Sequence, residues 1–431
     1  MRVAVVGGGI AGLAAANEIA DRSDADIVVF EGSDRLGGKL RLESVGGVTL
    51  DVGAEAMLRR RPEARQLCED VAIGELVVDA TTSQASIWTS GGLHPMPRTV
   101  MGVPAEPVDF VTVQKHVVPL PDEDISVADY VRDRVGEDVL DRLVEPLLGG
   151  VYAGHASQLS LDAAGPQLKA LGADPASAAA ATETTQGPVF FGLVGGVGRL
   201  AEAVAEHVGG VSDFRLETVV RGLSRAGSRW QVDTSAGTEA FDAVVIAAPA
   251  PAAARLLADR APTAAFALAD IPYASVAIAT FVFEHDLELL GSGFLIPPVD
   301  GTAIKGATFS SNKWAWLKEP GRTVLRASLG RYGEAATLQY DDATLAQIAL
   351  AELRDALGTL PEPVAWHVQR WGGCLPQYLV GHLDKVAAIE RDVASVPGLE
   401  VCGAAYRGVG IPAVIGSAQA AVERLLKDLG D

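Results

Sequence analysis

The sequence predicts an α/β protein, α+β overall, in which a Rossmann-like dinucleotide-binding domain carries an inserted mixed-sheet domain and a helical subdomain. Three observations lead to this prediction. A glycine loop between a strand and a helix opens the chain at 3–16, a similar loop begins a helix at 408–421, and alternating strand patterns occupy much of 272–395. A length of 431 residues also exceeds what one core usually supports.

The composition predicts a well-packed protein of the cytoplasm. Hydrophobic residues make up 48% of the chain and the mean hydropathy is +0.22, which is enough to bury a large core. No apolar run approaches the ~18 residues that span a bilayer, and the opening VAVV run is too short for a signal peptide. Cys68, Cys374 and Cys402 are far apart and form no CxxC pair, which favours a reducing compartment.

The net charge of −20 argues against nucleic-acid binding, because phosphate contacts need clustered lysines and arginines. The same charge repels anionic small molecules at long range, so an acidic substrate would need a local basic cluster. One such cluster is LRRRPEAR, residues 58–65. The seven histidines form no HxxxH or HExxH pattern, so we predict no metal site.

The first glycine loop has the G-x-G-x-x-G spacing of a dinucleotide site. Gly7, Gly9 and Gly12 follow the β-branched run RVAVV and precede the helical pattern LAAANEIA. These glycines allow a tight turn and close approach of a pyrophosphate to the N–H groups of the helix N-terminus. Glu31 ends the next strand, DIVVF, where an acidic side chain binds ribose hydroxyls. This pattern serves NAD or FAD.

The residues after Glu31 favour FAD. GSDRLGGKLRL and VTLDVGAE follow, and they match the signature E-x-x-x-R-x-G-G-[RK], then D-x-G-A. Here the chain resembles the FAD enzymes that include amine oxidases, phytoene desaturases and protoporphyrinogen oxidases, with Lys in place of the frequent Arg. The loop and this resemblance together predict contacts to FAD from Gly7, Gly9, Ile10, Ala11, Gly12, Glu31, Gly32, Arg35, Gly37, Gly38, Lys39, Gly53 and Ala54.

The middle of the chain is predicted to return to the nucleotide domain once before the end. GGVGRLAEAVAEHV reads as a loop entering a helix, and 214–250 as hairpin strands followed by a buried strand. The resemblance implies that an LETVV strand passes the adenine through Val219 or Val220. We therefore expect an FAD-binding domain of 1–80, 192–270 and 396–431, a substrate-binding domain of 81–115 and 271–395, and a helical subdomain of 116–191.

The helical subdomain is predicted from two stretches of different character. Residues 124–148 have the apolar period of an amphipathic helix, which Pro146 is expected to kink or end. Residues 170–187 are small and polar, and we expect a helix end and a flexible loop there.

Five stretches indicate one branch of this flavoprotein group. They are LHPMPRTVMGVP (93–104), EPLLGGVYAG (145–154), ATFSSNKW (307–314), RWGGCLPQYLVGHLDKV (370–386) and GAAYRGVGIPAVIG (403–416). Together they resemble the porphyrinogen oxidases of haem synthesis, especially the soluble bacterial type that acts on coproporphyrinogen III. The resemblance runs in the same order over nearly the whole chain.

This resemblance implies a six-electron oxidation of a porphyrinogen to a porphyrin. Three hydrides pass to FAD at N5, three protons are lost, and dioxygen reoxidises the flavin to give hydrogen peroxide. We find no Ser-His-Asp, Cys-His or paired-carboxylate signature, and we predict no catalytic side chain, because the cofactor carries the hard step. The substrate is coproporphyrinogen III or protoporphyrinogen IX, and the product would be passed to a downstream chelatase.

The resemblance assigns the C-terminal glycine loop to the isoalloxazine end of FAD. Gly403, Gly408, Val409, Gly410 and Ile411 are the predicted contacts, and the backbone N–H groups of the last four would be directed at the pyrimidine oxygen. The helix that follows would direct its positive end at the reduced ring. Both glycine loops should therefore meet at one ligand. The alternative is an ordinary terminal helix whose glycines serve packing.

Substrate contacts are predicted from charge and from the family pattern. The four carboxylates of the copro form, or two of the proto form, suit bidentate pairing with arginine. The candidates are Arg59, Arg60 and Arg61, of which Arg61 aligns best, then Lys305, with Lys313 and Arg98 as weaker ones. Leu147, Leu148 and Tyr152 would face the macrocycle or flavin. The plainer alternatives are solvated surface charge and core packing.

Three other functions stay open at this point. A flavin amine oxidase should have an aromatic cage near the C-terminal loop, where only Tyr406 stands. A carotenoid-type desaturase should have a longer apolar tunnel. A non-catalytic flavin- or porphyrin-binding protein could keep every glycine. The oligomeric state is also left open.

Overall fold

Strands and helices alternate along the chain in the computed structural model, which describes residues 1–182 and 187–430. The strands are β1 (Arg2–Val6), β2 (Asp26–Phe30), β3 (Leu42–Val45), β4 (Val48–Asp51), β5 (Met57–Leu58), β6 (Val77–Asp79), β7 (Ser86–Thr89), β8 (Gly92–Pro95), β9 (Thr99–Val100), β10 (Val103–Pro104), β11 (Phe190–Leu193), β12 (Ser212–Arg215), β13 (Val220–Ala226), β14 (Arg229–Thr234), β15 (Gly237–Phe241), β16 (Ala243–Ile246), β17 (Tyr273–Phe283), β18 (Gly293–Leu295), β19 (Ile304–Phe309), β20 (Thr323–Leu329), β21 (Ala365–Pro376) and β22 (Leu399–Val401). The helices are α1 (Ile10–Arg22), α2 (Glu63–Asp70), α3 (Val127–Val135), α4 (Glu137–Val139), α5 (Glu145–Tyr152), α6 (Leu161–Ala164), α7 (Pro166–Lys169), α8 (Pro175–Ala181), α9 (Gly198–Val208), α10 (Ala250–Leu257), α11 (Pro262–Ala269), α12 (Ser310–Lys313), α13 (Asp342–Leu357), α14 (His382–Val393) and α15 (Ile411–Leu429).

A five-stranded parallel sheet lies at the centre of the nucleotide-binding half. Its order is β12-β2-β1-β16-β22, and Val5 of β1 pairs with Val29 on one side and Val245 on the other. The inner strands are nearly continuous runs of buried Val and Ile, as expected for a sheet that is covered on both faces. Helices α1, α9 and α15 pack on one face. Helices α10, α11 and α14 and the antiparallel β13-β14-β15 sheet pack on the other. The predicted Rossmann-like fold is therefore confirmed.

A second, seven-stranded sheet has the order β21-β17-β20-β19-β18-β7-β8. Neighbours are antiparallel except β18 and β7, which pair in parallel, so the sheet is mixed as predicted. On one face Phe281, Leu325 and Phe309 pack with α13 through Leu345 and Leu353. The other face is turned toward the nucleotide-binding half, as the site geometry below shows. The boundaries predicted for the three domains stay a prediction.

The segment 124–148 is helical, but it is not one helix ended by Pro146. Helix α3 ends at Gly136, whose φ of 96° is a backbone conformation that favours glycine. A π-helical turn, Leu140–Val144, follows α4. Pro146 then stands at the start of α5, which continues to Tyr152. Proline has no N–H to donate and its ring crowds the preceding turn, and the wider π turn accommodates both effects. Of the two predicted effects of Pro146, a kink or an end, the end is wrong, because the helical turns continue to Tyr152.

The stretch 170–187 also contains more helix than predicted. Helix α8 covers Pro175–Ala181, with Asp174 as its N-cap accepting a hydrogen bond from the Ser177 N–H at 3.1 Å. An Asp-Pro start followed by alanines is a strong helix signal, and we read it instead as loop composition. The remainder of the predicted loop, 183–186, lies outside the described residues. Within 1–182 and 187–430, no helix has both the length and the apolar character needed to cross a membrane.

Candidate functional site

The N-terminal glycine loop is shaped by contacts that leave no room for side chains. Gly7 has a φ of 112° and donates its N–H to the Phe30 carbonyl at 2.8 Å. A Cβ on Gly12 would lie 1.8 Å from the Gly7 carbonyl oxygen. Gly9 is the N-cap of α1, no side chain caps that helix end, and a Cβ on Gly9 would meet nothing closer than 4.0 Å. The helix N-terminus therefore opens onto free space, as an anion site requires.

Glu31 lies beside this loop at the end of β2. Its Oε2 accepts from the Gly8 N–H at 2.8 Å, and its Oε1 accepts from the Ser33 N–H and Oγ, both at 2.8 Å. A carboxylate oxygen has a second lone pair, so Glu31 keeps acceptor capacity for a ribose hydroxyl. Gly32 follows, and a Cβ there would lie 3.3 Å from the Val219 side chain.

The second glycine pair lies back to back with the first loop. The Gly37 N–H donates to the Gly8 carbonyl at 2.8 Å, and a Cβ on Gly38 would lie 3.2 Å from the Gly9 Cα. Arg35 was predicted to contact the cofactor. Its guanidinium donates to the Gly38 carbonyl at 2.6 Å and to the neighbouring Leu36 carbonyl at 3.1 Å. Arg35 therefore holds the shape of this turn.

The D-x-G-A segment continues the same edge. A Cβ on Gly53 would lie 2.1 Å from the Lys39 carbonyl oxygen, so the two predicted contact segments touch. Asp51 accepts from the N–H groups of Val197 and Gly198 at 2.8 and 2.9 Å and caps α9. Burial raises the pKa of Asp51 to about 7, although these two N–H groups oppose the rise. We missed this role, which the Gly-rich start of α9 could have signalled.

Glu55, one residue beyond that motif, forms a buried ion-pair network that the sequence analysis missed. Its carboxylate binds Lys313 Nζ at 2.5 Å and the Arg326 guanidinium, which also donates to the Gly53 carbonyl at 2.6 Å. Burial would raise the pKa of Glu55, but the two cations bring it down to about 2. Lys313 was a candidate substrate residue. Its ammonium is engaged here, so Lys313 joins the mixed sheet to the adjoining segments 37–39 and 52–55, which we call the flavin-side loop.

Val219 lies next to Glu31, as the resemblance implied, but not on a strand. Residues 216–219 form a turn in which Glu217 has a φ of 52°, and the Thr218 N–H donates to the Glu31 carbonyl at 2.8 Å. The predicted LETVV strand was therefore wrong, since β13 begins only at Val220. The N–H of Val219 donates to Ser235 Oγ at 3.1 Å and its carbonyl accepts from the Ser235 N–H at 2.9 Å, so both backbone groups already have partners.

The C-terminal glycine loop meets the N-terminal one. A Cβ on Gly403 would lie 3.8 Å from the Ala11 Cβ, and β22 lies two strands from β1 in the same sheet. Helix α15 begins at Ile411 with Gly410 as an N-cap, no side chain caps it, and a Cβ on Gly410 would meet nothing closer than 4.0 Å. A second bare helix N-terminus therefore opens at the same sheet edge.

Aromatic side chains hold this second loop in place. The Tyr378 hydroxyl donates to the Ala404 carbonyl at 2.6 Å and accepts from the Gly408 N–H at 2.8 Å. The His382 ring stacks on Tyr378 with 3.9 Å between centroids, and its Nε2 lies 2.9 Å from the Tyr406 carbonyl. Burial lowers the pKa of His382 to about 4, so the ring is neutral at pH 7 and Nε2 carries the proton it donates. Both side chains lie in the stretch 370–386, which indicated only the family branch, and Tyr378 engages the Gly408 N–H that was predicted to face the flavin.

The predicted arginine contacts lie at the surface. Arg59 is paired with Asp79, and Arg61 is paired with Glu63 through two nitrogens. Arg60 is exposed and has no hydrogen-bond or ion-pair partner among the described residues. Arg98, the weaker candidate, donates to the Thr182 and Ala105 carbonyls at 2.9 and 3.5 Å and supports local structure.

Helix α5 lies beside the C-terminal loop. Val409 of that loop packs against the apolar cluster that holds Leu148 and Tyr152. Leu148 is fully buried in this cluster, so its position is that of a core residue, the simpler of the two alternatives given above. Leu147 is half-buried, and the Tyr152 ring lies 5.5 Å from that of Tyr378. Of the three, Leu147 retains the most surface for a ligand.

The remaining candidate, Lys305, is on β19. It is only 5% exposed, and burial and then the nearby Arg331 lower its pKa to about 7. Three half-buried side chains lie on the face of this sheet opposite α13: Ile278, Thr308 and Ser328. Their strands are interior to the sheet, so a face with partly exposed side chains there borders open space. Trp371 and Arg326 reach from this sheet to the Val52 and Gly53 carbonyls, so the space adjoins the flavin-side loop.

These segments fit an extended dinucleotide. Doubly wound folds bind such ligands at the carboxyl ends of the parallel strands. At that end this chain has two uncapped helix N-termini, an acidic residue for a ribose and four glycine-containing segments. Groups of His, Cys, Asp and Glu arranged to hold a metal are absent from the described part of the chain. The arrangement suits cofactor-borne redox chemistry.

Comparisons with known proteins agree with this geometry. Residues 10–426 match the family described as flavin containing amine oxidoreductase. A coproporphyrinogen III oxidase from Mycobacterium leprae is 36% identical, covering 98% of this chain and 97% of its own. Protoporphyrinogen oxidase 1, chloroplastic, from Arabidopsis thaliana is 26% identical, covering 97% of this chain and 87% of its own.

A solved structure from Exiguobacterium sp. 255-15, provisionally assigned as a protoporphyrinogen oxidase, superposes with a TM-score of 0.89 at 31% identity. The similarity covers 100% of this chain and 99% of that one. The chain therefore belongs to the flavin containing amine oxidoreductases, on the branch of the bacterial porphyrinogen oxidases, and its cofactor is FAD.

Proposed function

We propose that this protein oxidises coproporphyrinogen III to coproporphyrin III. The observation that carries the proposal is the partial exposure of Ile278, Thr308 and Ser328 on interior strands of the mixed sheet, on the face opposite α13. We infer that these side chains border a substrate space that reaches the C-terminal glycine loop, 403–411, which Tyr378 connects to α5. The 36% identity to a coproporphyrinogen III oxidase supports this substrate over protoporphyrinogen IX, whose plant enzyme is 26% identical.

FAD, when bound, accepts a hydride from a methylene carbon of the porphyrinogen. The chain's own residues position the reactants. Helix α15 directs the positive end of its dipole, through the uncapped residues after Gly410, at the site of the flavin ring. Tyr152 and Leu147 on α5 supply apolar surface that excludes water from the macrocycle. A side chain for proton removal is not required, since the oxidised macrocycle releases pyrrole N–H protons readily.

Dioxygen is the proposed final acceptor. One porphyrinogen loses six electrons and six hydrogens, so three dioxygen molecules become three hydrogen peroxide molecules. Release of the product to a chelatase and a cytoplasmic location belong to the same proposal.

Substrate carboxylates are proposed to bind the basic cluster at 59–61 and Lys305. Arg59 and Arg61 already have carboxylate partners, so a propionate there pairs with Arg60 or exchanges with Glu63. We expect Arg61→Ala to raise KM several-fold while flavin content stays intact, with Arg65→Ala, at an exposed arginine of α2, as the control. A rise in KM from Arg60→Ala alone would assign the propionate to Arg60. Loss of FAD from Arg61→Ala would assign the segment to the cofactor site instead.

The function is tested by supplying the FAD-loaded protein with each porphyrinogen and following porphyrin fluorescence and peroxide. We expect faster porphyrin formation from coproporphyrinogen III, with three peroxides per porphyrin. Turnover of an amine without porphyrin from either substrate would favour an amine oxidase. A flavin that stays yellow when porphyrinogen is added without oxygen would indicate a binding protein.

A further inference from the structure

Lys305 is a buried cation without a bound anion. Only 5% of its surface is exposed, and its Nζ makes no hydrogen bond or ion pair within residues 1–182 and 187–430. Lys305 lies at the irregularity in the β19–β20 pairing between Ile304 and Gly306, and the neighbouring Gly306 pairs with Leu295, which packs against the cluster that holds α5. Burying an ammonium without a partner costs several kcal/mol. A site that retains such a group is suited to an anionic ligand.

Arg331 lies close to Lys305, because both residues form hydrogen bonds with the backbone of Ile296. The Ile296 N–H donates to the Lys305 carbonyl at 2.8 Å, and the Ile296 carbonyl accepts from Arg331 Nη2 at 3.4 Å. Arg331 is 6% exposed, and its one ion pair is a 3.9 Å contact with Glu334, whose side chain is 52% exposed. Two further carboxyl groups lie near Arg331: Glu145, whose pKa is raised by burial, and Glu352, which accepts from the Ala303 and Ile304 N–H groups. Neither of these two buried basic side chains therefore has a closely bound anion.

Contacts on both sides place these cations at the space proposed for the substrate. Burial raises the pKa of the Cys374 thiol, and the ammonium groups of Lys39 and Lys305 oppose that rise, so both lysines lie near this thiol. Lys39 belongs to the flavin-side loop. On the other side, the Tyr332 N–H donates to the Ala153 carbonyl, at the end of α5, at 2.6 Å. The pair is therefore flanked by the flavin-side loop and by α5.

We propose, on the basis of the proposed function, that Lys305 and Arg331 form an inner subsite that binds one carboxylate of the porphyrinogen. The two cations offer an ammonium and a guanidinium to one propionate, and the incoming charge replaces the missing partner of Lys305. This subsite is additional to the arginines at 59–61, which are on a different element and exposed.

The test measures binding of coproporphyrin III to the FAD-loaded protein by fluorescence quenching, in a buffer with nonionic detergent. Its tetramethyl ester, which lacks carboxylate charge, is the comparison ligand. We expect Lys305→Met to raise Kd for coproporphyrin III at least tenfold and to leave Kd for the ester within twofold. Lys318→Met, at an exposed lysine in the following turn, should change neither.

Two results would overturn the subsite. Kd for coproporphyrin III could stay within twofold of wild type, or Kd for both ligands could rise equally, which would indicate a change of shape. These binding results do not depend on turnover. Absence of porphyrin formation by the wild type would therefore reject the proposed function without deciding the subsite.

Stability and proton uptake give two further readouts. Because Met relieves an unpaired buried charge, Lys305→Met should unfold at the same temperature or higher, and a fall of several degrees would show a structural ion pair instead. An amine with a pKa of about 7 is mostly neutral at pH 8 and becomes charged beside a carboxylate. Wild-type protein should take up close to one proton on binding coproporphyrin III at pH 8, by calorimetry in two buffers, and Lys305→Met should not.

Discussion

The two glycine loops look alike in sequence but are held by different forces. In the N-terminal loop, glycine is required because neighbouring backbone occupies the place of a side chain, as Gly12 against Gly7 shows. In the C-terminal loop, Gly410 has room, while Gly403 and Gly408 are required by their φ angles of 126° and 144°, and hydrogen bonds to Tyr378 and His382 fix the loop. A repeated glycine pattern therefore does not imply a repeated cause. Substitutions should separate the two cases.

The largest effect is expected from Gly12→Ala. The new Cβ would lie 1.8 Å from a backbone oxygen, and no side-chain rotation can relieve that overlap. We expect a loss of more than about 4 kcal/mol of unfolding free energy, or protein without flavin. The measurement is flavin absorbance per protein together with urea unfolding. Gly210→Ala, where a Cβ meets nothing within 4 Å, should behave as wild type; equal behaviour of the two variants would refute the steric account.

Glu55→Gln tests a segment that is held by charge. It leaves Lys313 and Arg326 buried without a carboxylate, so we expect a loss of about 3 kcal/mol by denaturant unfolding. The folded pKa of about 2 lies below the ordinary value of 4.5, so this contribution is complete above pH 4.5 and disappears as pH falls toward 2. Wild type should therefore lose stability faster than Glu55→Gln over that interval.

Glu319→Gln removes an ion pair with Arg322 in which the glutamate is 61% exposed. It should change stability by less than about 1 kcal/mol. A loss from Glu55→Gln no larger than this would mean that the buried network contributes little to stability.

Glu31→Gln addresses the first loop's only charged contact. The amide keeps the size of the side chain but loses the charge that accepts from Gly8, Ser33 and the proposed ribose. We expect FAD to bind about tenfold more weakly, roughly 1.4 kcal/mol, with an unchanged visible spectrum. The measurement is titration of flavin-free protein with FAD. A shifted flavin spectrum would contradict the assignment of Glu31 to the adenosine end.

Tyr378→Phe should give the smallest change and the opposite pattern. It removes two hydrogen bonds that position the loop at 404–408, which we expect to lower stability by about 1 kcal/mol. FAD affinity should stay within threefold while the flavin absorbance bands and reduction potential shift. Tyr340→Phe, whose side chain is exposed, is the control. An unchanged spectrum and potential would show that the loop does not reach the flavin ring.

Features encoded in local sequence were predicted well. The strand, Gly7–Gly12 turn and helix follow from residue spacing alone, and the buried strands of both sheets follow from apolar runs. The family branch followed from five ordered motifs. In each case the signal and the structure it specifies lie in the same short segment.

Features that depend on distant partners were not predictable in this way. Lys313 has the chemistry of a carboxylate site, and only the fold shows that Glu55, 258 residues earlier, occupies it. Val219 lies in a strand-like run, but its hydrogen bonds with Ser235 and the bond from Thr218 to Glu31 make a turn there. Tyr378 stands in an unremarkable part of its motif, and its role appears only when the loop at 404–408 is folded against it.

Helix α15 has a consequence for synthesis of the protein. It packs on α1 within one core, although some 400 residues of chain separate the two helices. On the ribosome, the first strands emerge long before the helix that covers them, and their apolar face must wait unprotected or be shielded by a chaperone. Cofactor loading should therefore be a late event that follows the synthesis of α15.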